Sequence, residues 1–164
     1  MRLEFEGKTV FVTGAVRGIG RTICHRFAEL GAAVWAADIE EQLLSEITDG
    51  LDDKVMPRIK TVPLDVTNPK NVQDIVAQAQ KASNTGAIDV LIHSAGGVKS
   101  RFKTPIENVS DADWRAIQAV NVDGAFNLAR AVVPKMKERK KGKIVIISSH
   151  AGLGVSLTGV QSYG

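Results

Sequence analysis

A run of glycines between residues 13 and 20 has the spacing of an anion-binding turn. Gly14 would let the chain leave a preceding strand in a tight turn, and Gly18, which has no Cβ, would let a phosphate approach the backbone. Gly20 would let the following helix pack close to that strand. The free N–H groups and the positive end of this helix would then face the anion. The pattern therefore predicts a phosphate-binding turn, the alternative being a glycine-rich turn that binds nothing.

A carboxylate in the next segment could complete such a site. Asp38 lies 18 residues past Gly20, at the end of an apolar run. An acidic group there can accept hydrogen bonds from both ribose hydroxyls of an adenosine and would repel a 2′-phosphate, with Glu40 and Glu41 adding to the repulsion. Arg17 would favour a 2′-phosphate, but we give Asp38 more weight because its carboxylate would lie against that phosphate while Arg17 is flexible. The alternative is that Asp38 only caps a helix.

The spacing T-G-x-x-x-G-x-G from Thr13 to Gly20 is typical of the short-chain dehydrogenase/reductase family, which the chain resembles from about Gly7 to its last residue. A Walker phosphate loop is excluded because no Gly-Lys-[Ser/Thr] follows at the right distance. The resemblance implies an NAD(H)-dependent oxidoreductase that interconverts a secondary alcohol and a ketone. It assigns cofactor binding to the three glycines together with Arg17 and Ile19, and Asp38 favours NAD over NADP.

Two later stretches resemble the family's contacts to the adenosine half of the cofactor. Asp65-Val66 looks like the contact to the adenine edge, although an aspartate after a strand is also common turn chemistry. Ser94-Ala95-Gly96 stands in the place of the family's Asn-Asn-Ala-Gly turn, with His93 and Ser94 replacing the two asparagines. The small residues of this turn still allow close approach to the ribose. We interpret His93 as a packed histidine at a strand end.

The resemblance assigns catalysis to three residues. Ser149 would hydrogen-bond the substrate oxygen, and Tyr163 would donate a proton during carbonyl reduction or remove one during alcohol oxidation. Asn121 would hold a water in a proton relay, unless it is simply tolerated on a polar helix face. Tyr163 comes 14 residues after Ser149, one more than the commonest family spacing, so we expect one extra residue in the intervening loop.

The family's Tyr-x-x-x-Lys motif would place its lysine at position 167, beyond Gly164. We therefore expect residues 1–164 to form one NAD(P)-binding Rossmann domain that is incomplete at its C-terminus, either as a truncated reductase or as a fragment. The 164-residue chain itself is expected to be inactive. Two alternatives stay open: a non-catalytic dinucleotide-binding or interaction module, and an S-adenosylmethionine methyltransferase, which also places an acid after its second strand but has a different glycine spacing.

The elements that must position these residues alternate between strands and helices. This alternation predicts an α/β fold, a doubly wound parallel sheet with strand order 3-2-1-4-5. We expect the last helix to be irregular near Asn121, Gly124 and Pro134, and the fifth strand to be buried on both faces. The predicted strands cover residues 9–13, 33–37, 59–63, 89–93 and 143–148, and the predicted helices cover 18–30, 40–48, 69–82 and 110–141.

The composition of the chain bears on its location in the cell and on its binding partners. No apolar run approaches the ~18 residues of a membrane span, and Cys24 is the single cysteine, so we expect a cytoplasmic protein. The basic run 135–143 could bind nucleic acid, but we favour the end of a helix with Gly142 as its left-handed cap. The expected partner is a small alcohol or ketone, with no nucleic acid, membrane or metal. The resemblance implies a homodimer or homotetramer of the full-length form.

Overall fold

The computed structural model describes residues 4–98, 104–153 and 163. Its centre is a five-stranded parallel sheet in the order β3-β2-β1-β4-β5, which confirms the predicted order. Every strand points the same way, so the carboxyl ends of all strands lie along one edge. The strands are β1 (Thr9–Thr13), β2 (Ala33–Asp38), β3 (Ile59–Pro63), β4 (Val90–His93) and β5 (Lys143–Ile146).

The side chains of each inner strand alternate between two apolar layers. Phe11 faces a cluster formed with α2 (Pro69–Ala82) and α4 (Gly124–Glu138), whereas Val10 and Val12 face α1 (Gly18–Glu29). Both layers are closed by helices, as a doubly wound sheet requires. Within the described part of the chain, no helix combines the length and the apolar character needed to span a membrane.

The helix boundaries follow from capping residues. Asn68 caps α2 by accepting hydrogen bonds from the backbone N–H groups of Lys70 and Asn71. Ser110 caps α3 (Asp111–Gln118) by accepting one from Asp113. Gly31, with φ of +96°, follows the C-terminus of α1, where a left-handed conformation ends the helix.

The irregularity predicted for the last helix is present. A π-helical segment, Ala119–Asp123, separates α3 from α4 and contains Asn121. At Gly124 a Cβ would lie 2.8 Å from Cγ2 of Val66. The glycine thus lets α4 approach the chain beyond β3 more closely than any other residue would allow. A π-bulge adds one residue to a helical turn, and such bulges are frequent at functional sites.

The predicted second helix, 40–48, is wrong in type and extent. Glu41–Glu46 forms a 3₁₀ helix, with hydrogen bonds from Leu43 N to Glu40 O and from Ile47 N to Leu44 O. Leu44 and Ile47 are both buried. They are three residues apart, and because side chains at this spacing eclipse in a 3₁₀ helix, both can be buried on the same face.

The prediction that Gly142 is the left-handed cap of α4 is also wrong. Lys140 has the positive φ, +50°. The N–H groups of Lys140 and Lys141 donate to the carbonyls of Lys137 and Met136, the bond pattern of a Schellman motif. Gly142 is required for another reason, because a Cβ there would overlap the side chain of Met136.

The fifth strand is not buried on both faces, contrary to the prediction. All four residues of β5 are exposed, Val145 and Ile146 by 45% and 49%. Among the described strands β5 pairs with β4 alone, so it forms an edge of the sheet. The apolar composition of a strand does not by itself distinguish a central position from an edge position.

Candidate functional site

A cleft of about 580 Å³ lies at the carboxyl ends of β1, β2 and β4. Ten of the eleven residues predicted to bind the cofactor line it: Gly14, Arg17, Gly18, Ile19, Asp38, Asp65, Val66, Ser94, Ala95 and Gly96. Gly20, also predicted, supports the cleft from behind, and Asn121, Ser149 and Tyr163 do not line it. Ligands of doubly wound sheets bind at this edge, where the strand order reverses.

Gly14 and Gly20 hold the glycine-rich turn in shape. Gly14 has φ of +66°, and a Cβ there would lie 2.6 Å from the backbone nitrogen of Ala95. A Cβ on Gly20 would overlap the carbonyl oxygen of Gly14. Gly14 is therefore required because it packs closely against the turn after β4. Gly20 is required because it packs closely against the glycine-rich turn itself.

Gly18 differs because the space above it is empty. Its φ is +49°, and an added Cβ would meet no atom within 4 Å. It begins α1, and the preceding residue, Arg17, forms no side-chain cap for the helix. The first N–H groups of a helix have no partner within it, so an anion above Gly18 could bond to them. The first turn of α1 has no acidic residue that would oppose an anion.

The carboxylate of Asp38 connects the two sides of the cleft mouth. Its Oδ2 accepts a hydrogen bond from Val16 N (3.2 Å), and its Oδ1 accepts one from Glu40 N (3.1 Å). The carboxylate of Glu40 in turn accepts a hydrogen bond from Nη2 of Arg17 (2.9 Å). The sequence alone gave no indication of this ion pair between Arg17 and Glu40, although both residues had been singled out.

Asp65 has the geometry of a turn residue. Its Oδ1 accepts hydrogen bonds from both N and Oγ1 of Thr67, at 2.9 and 2.7 Å. The carbonyl oxygen of Val66 accepts a bond from Nδ2 of Asn127 (3.1 Å). The Asp65-Val66 segment is thus held firmly in the wall of the cleft, where both residues line the cavity.

The turn after β4 is fixed from two sides. On one side the N–H of Ala95 donates to Oγ1 of Thr13 (3.4 Å). On the other, Asn121 bonds both the N–H and the carbonyl of Gly97, each at 2.9 Å. A Cβ on Gly96 would lie 2.6 Å from Oδ1 of Asn121. Asn121 therefore lies behind the cleft wall and supports it.

His93 is a packed histidine at the end of β4, as interpreted from the sequence. Its Nδ1 lies 2.8 Å from Oγ1 of Thr13, and its side chain is 2% exposed. Burial lowers the pKa of His93 from 6.5 to about 4, against an opposing effect of the Val120 backbone. Within the described part of the chain its Nε2 has no hydrogen-bond partner. A buried histidine of this kind is neutral at pH 7.

The residues predicted to carry catalysis lie apart from the cleft lining. Ser149 is half-buried, and its Oγ accepts a hydrogen bond from Ala151 N (3.2 Å). Tyr163 is half-buried in a turn. Residues 154–162 are outside the described part, so the predicted meeting of Ser149 and Tyr163 stays a prediction, as does the extra residue in the loop between them. In the described ranges, no group of three His, Cys, Asp or Glu side chains could hold a metal ion.

Comparison with known proteins gives concordant matches. A family model described as short chain dehydrogenase matches residues 8–164. A 3-oxoacyl-[acyl-carrier-protein] reductase of Thermotoga maritima is 34% identical over 154 residues, which are 92% of this chain and 59% of the relative. A 2,3-dihydro-2,3-dihydroxybenzoate dehydrogenase of Bacillus subtilis is 32% identical over 158 residues, 96% of this chain and 58% of the relative.

The architecture matches a solved structure as well. The crystal structure of gox2181 aligns with a TM-score of 0.84 at 29% identity, over 99% of this chain and 63% of that chain. The chain thus spans about three fifths of the length of the proteins that it matches.

Proposed function

The chain belongs to the short-chain dehydrogenase family, and on that premise we propose that it is the dinucleotide-binding part of an NAD(H)-dependent oxidoreductase that interconverts a secondary alcohol and a ketone. Members of this family are oxidoreductases that bind a nicotinamide dinucleotide. The observation that carries the proposal is the empty space above Gly18, at the uncapped start of α1. A pyrophosphate would fit there because no Cβ occupies that space and the first N–H groups of a helix have no partner within it.

The cleft residues fit a dinucleotide along its adenosine half. Gly14, Gly18 and Ile19 would hold the pyrophosphate, and Ser94-Ala95-Gly96 would lie against the ribose. The carboxylate of Asp38, which is half-buried at the cleft mouth, would accept the ribose hydroxyls. Asp65 and Val66 would border the adenine.

We propose NAD(H) over NADP(H) on electrostatic grounds. Three of the described residues that line the cleft carry carboxylates: Asp38, Glu40 and Asp65. A 2′-phosphate would add negative charge next to them, and like charges at short range are repelled.

The proposed chemistry uses the bound nicotinamide for hydride transfer and side chains of this chain for the proton. Ser149 would hydrogen-bond the substrate oxygen, and Tyr163 would transfer the proton to or from it. A cation close to a phenol favours its charged phenolate form and so assists proton transfer. A polypeptide that ends at Gly164 would lack the lysine found four residues after the family's tyrosine. We expect the 164-residue polypeptide to bind the cofactor but to turn over little substrate.

The names of the relatives support the class of substrate. The Thermotoga maritima relative is named as a reductase of a 3-oxoacyl group, and the Bacillus subtilis relative as a dehydrogenase of a dihydroxy compound. One substrate is a ketone and the other carries hydroxyl groups on ring carbons. A secondary alcohol or a ketone is therefore the class of substrate that we propose for the whole protein.

A dehydrogenase assay over a panel of secondary alcohols and ketones tests the proposal. Two polypeptides would be compared, one of 164 residues and one continued through a lysine four residues after Tyr163. We expect the longer form to reduce a ketone with NADH or to oxidise the corresponding alcohol with NAD⁺, and we expect this turnover to be lost in Tyr163→Phe. Equal turnover by the shorter form would contradict the need for that lysine, and no turnover by either would contradict the proposed activity.

We further propose that the whole protein is a cytoplasmic homodimer or homotetramer that binds neither nucleic acid nor membrane. Val122 and Phe126, on the outer side of the α3–α4 region, are 56% and 59% exposed and would form the subunit contact. Leu128 and Val132, which also contribute to the apolar character of this helix, belong to the core instead. Sedimentation of the whole protein should show a dimer or larger species that Phe126→Glu dissociates, and a wild-type monomer would contradict this proposal.

A further inference from the structure

An ion pair between Arg17 and Glu40 lies at the mouth of the cleft. The arginine would favour the 2′-phosphate of NADP, whereas the glutamate would repel it. Among the described residues that line the cleft, Arg17 is the sole cation. Its Nη2 lies 2.9 Å from Oε2 of Glu40, and the two side chains are 68% and 46% exposed. An arginine at this place is suited to a phosphate, because its planar guanidinium can donate two parallel hydrogen bonds. In this structure, however, the guanidinium donates to Glu40.

The pairing of these two residues follows from the position of Asp38. One oxygen of Asp38 holds the backbone N–H of Val16, the residue next to Arg17, and the other holds the backbone N–H of Glu40. Asp38 therefore fixes the chain on both sides of the cleft mouth at once. Because Asp38 already holds the backbone next to Arg17 and at Glu40, these two long side chains can pair without further ordering of the backbone.

We propose that Glu40 is a specificity-determining residue that disfavours a 2′-phosphorylated dinucleotide by holding Arg17 away from the 2′-phosphate. This inference rests on the proposed dinucleotide function and deepens it. Asp38 then acts in two ways, as the acceptor for the ribose hydroxyls and as the positioning residue for the Arg17–Glu40 pair. Discrimination between the two cofactors thus depends on which acid holds Arg17 as well as on the total negative charge.

The exposure of the pair determines the size of the expected effect. An exposed ion pair contributes little to stability, so Arg17 can exchange its contact to Glu40 for a contact to phosphate. Removing the charge of Glu40 both releases Arg17 and removes one repulsion. We expect the two effects together to raise affinity for a 2′-phosphate about three- to tenfold. If repulsion alone acted, the gain would not depend on Arg17.

Two adenosine nucleotides are suitable probes, because they report on this end of the cleft without a nicotinamide. Adenosine 5′-monophosphate and adenosine 2′,5′-bisphosphate would be titrated by calorimetry into wild type, Glu40→Gln, Arg17→Gln and the double variant. Glu41→Gln is the matched control, since Glu41 is a neighbouring exposed charge. Unlike Glu40, it is not among the described residues lining the cleft, contrary to the repulsive role expected for it from the sequence. NADH would be titrated into the same proteins to measure the proposed function separately.

We expect Glu40→Gln to bind the bisphosphate about three- to tenfold more tightly than wild type, with less than a twofold change for the monophosphate. In the Arg17→Gln background the same substitution should give less than a twofold gain, as should Glu41→Gln alone. An equal gain with and without Arg17, an equal gain in Glu41→Gln or no gain in Glu40→Gln would overturn the inference while NADH binding stands. Failure of wild type to bind NADH and both nucleotides would overturn the proposed function and this inference together.

Discussion

The side-chain amide of Asn121 forms two hydrogen bonds with Gly97, one in each direction. Oδ1 accepts from Gly97 N and Nδ2 donates to Gly97 O, both at 2.9 Å. Nδ2 also donates to the carbonyl of Ile117, one turn earlier in the helix. The amide of Asn121 therefore bonds to the backbone of Gly97 in the way that the backbone of a neighbouring strand would. Asn121 lies within the π-helical segment Ala119–Asp123.

Replacing Asn121 with alanine should loosen the turn after β4. Three hydrogen bonds are lost in a half-buried setting, so we expect the free energy of unfolding to fall by about 1–3 kcal/mol and NADH binding to weaken. Urea unfolding and calorimetry would measure the two effects. Asn84→Ala, at an exposed position, is the control and should change neither. Wild-type stability and affinity in Asn121→Ala would show that the turn does not depend on the amide.

Protonation of His93 should set part of the acid stability of the fold. Burial lowers the pKa of His93 from 6.5 to about 4, so the unfolded chain takes up this proton at higher pH than the folded chain. The contribution is fully present above about pH 6.5 and is lost as the pH falls toward 4, by ~1.4 kcal/mol per unit and about 3 kcal/mol in all.

The difference in unfolding free energy between wild type and His93→Asn, measured by urea unfolding from pH 4 to 8, tests this contribution. Asparagine can still form a hydrogen bond with Thr13, as donor or as acceptor, but does not titrate in this range. The acid slope should be shallower in His93→Asn and unchanged in the control Asn84→Ala, which alters an exposed residue that does not titrate. Parallel curves for wild type and His93→Asn would contradict the assignment.

The thiol of Cys24 should be unreactive in the folded chain. Cys24 is fully buried, and burial raises the pKa of its thiol from the usual 9.0 to about 12. Because the thiolate is the nucleophile, a disulfide reagent at pH 8 should label Cys24 only as fast as the chain opens, and rapidly in urea. A Ser45→Cys variant adds an exposed thiol as the control and should show one fast and one slow phase. Fast labelling of the native wild type would contradict the burial.

Much of the fold could be predicted because its signals are local. The glycine-rich turn, the Asn68 cap and the apolar runs of the strands each depend on residues within a few positions, and the strand order then follows from general rules of connection. The carboxyl ends of parallel strands share one edge, which is why most of the predicted cofactor residues line a single cleft.

The features that could not be predicted depend on distant neighbours. The apolar residues of β5 give no sign of whether a strand or helix covers them. The left-handed residue after α4 is Lys140, and the glycine at position 142 instead makes room for the side chain of Met136. The ion pair of Arg17 with Glu40 joins segments 23 residues apart in the sequence, and the contact of Asn121 with Gly97 joins segments 24 apart. No local pattern specifies which side chains meet across such separations.

Binding of NADH to Gly18→Ala and Gly86→Ala tests the central claim most directly. Both glycines have positive φ, +49° and +68°, and both have empty space where a Cβ would lie, so the backbone strain is similar. The two glycines differ in position: Gly18 lines the cleft, whereas Gly86 lies in the turn after α2. We predict that wild type and Gly86→Ala bind NADH with similar affinity, while Gly18→Ala binds at least about tenfold more weakly because its methyl group occupies the phosphate position. Equal binding by Gly18→Ala and Gly86→Ala, or no binding of NADH by the folded wild type, would contradict a dinucleotide site in this cleft.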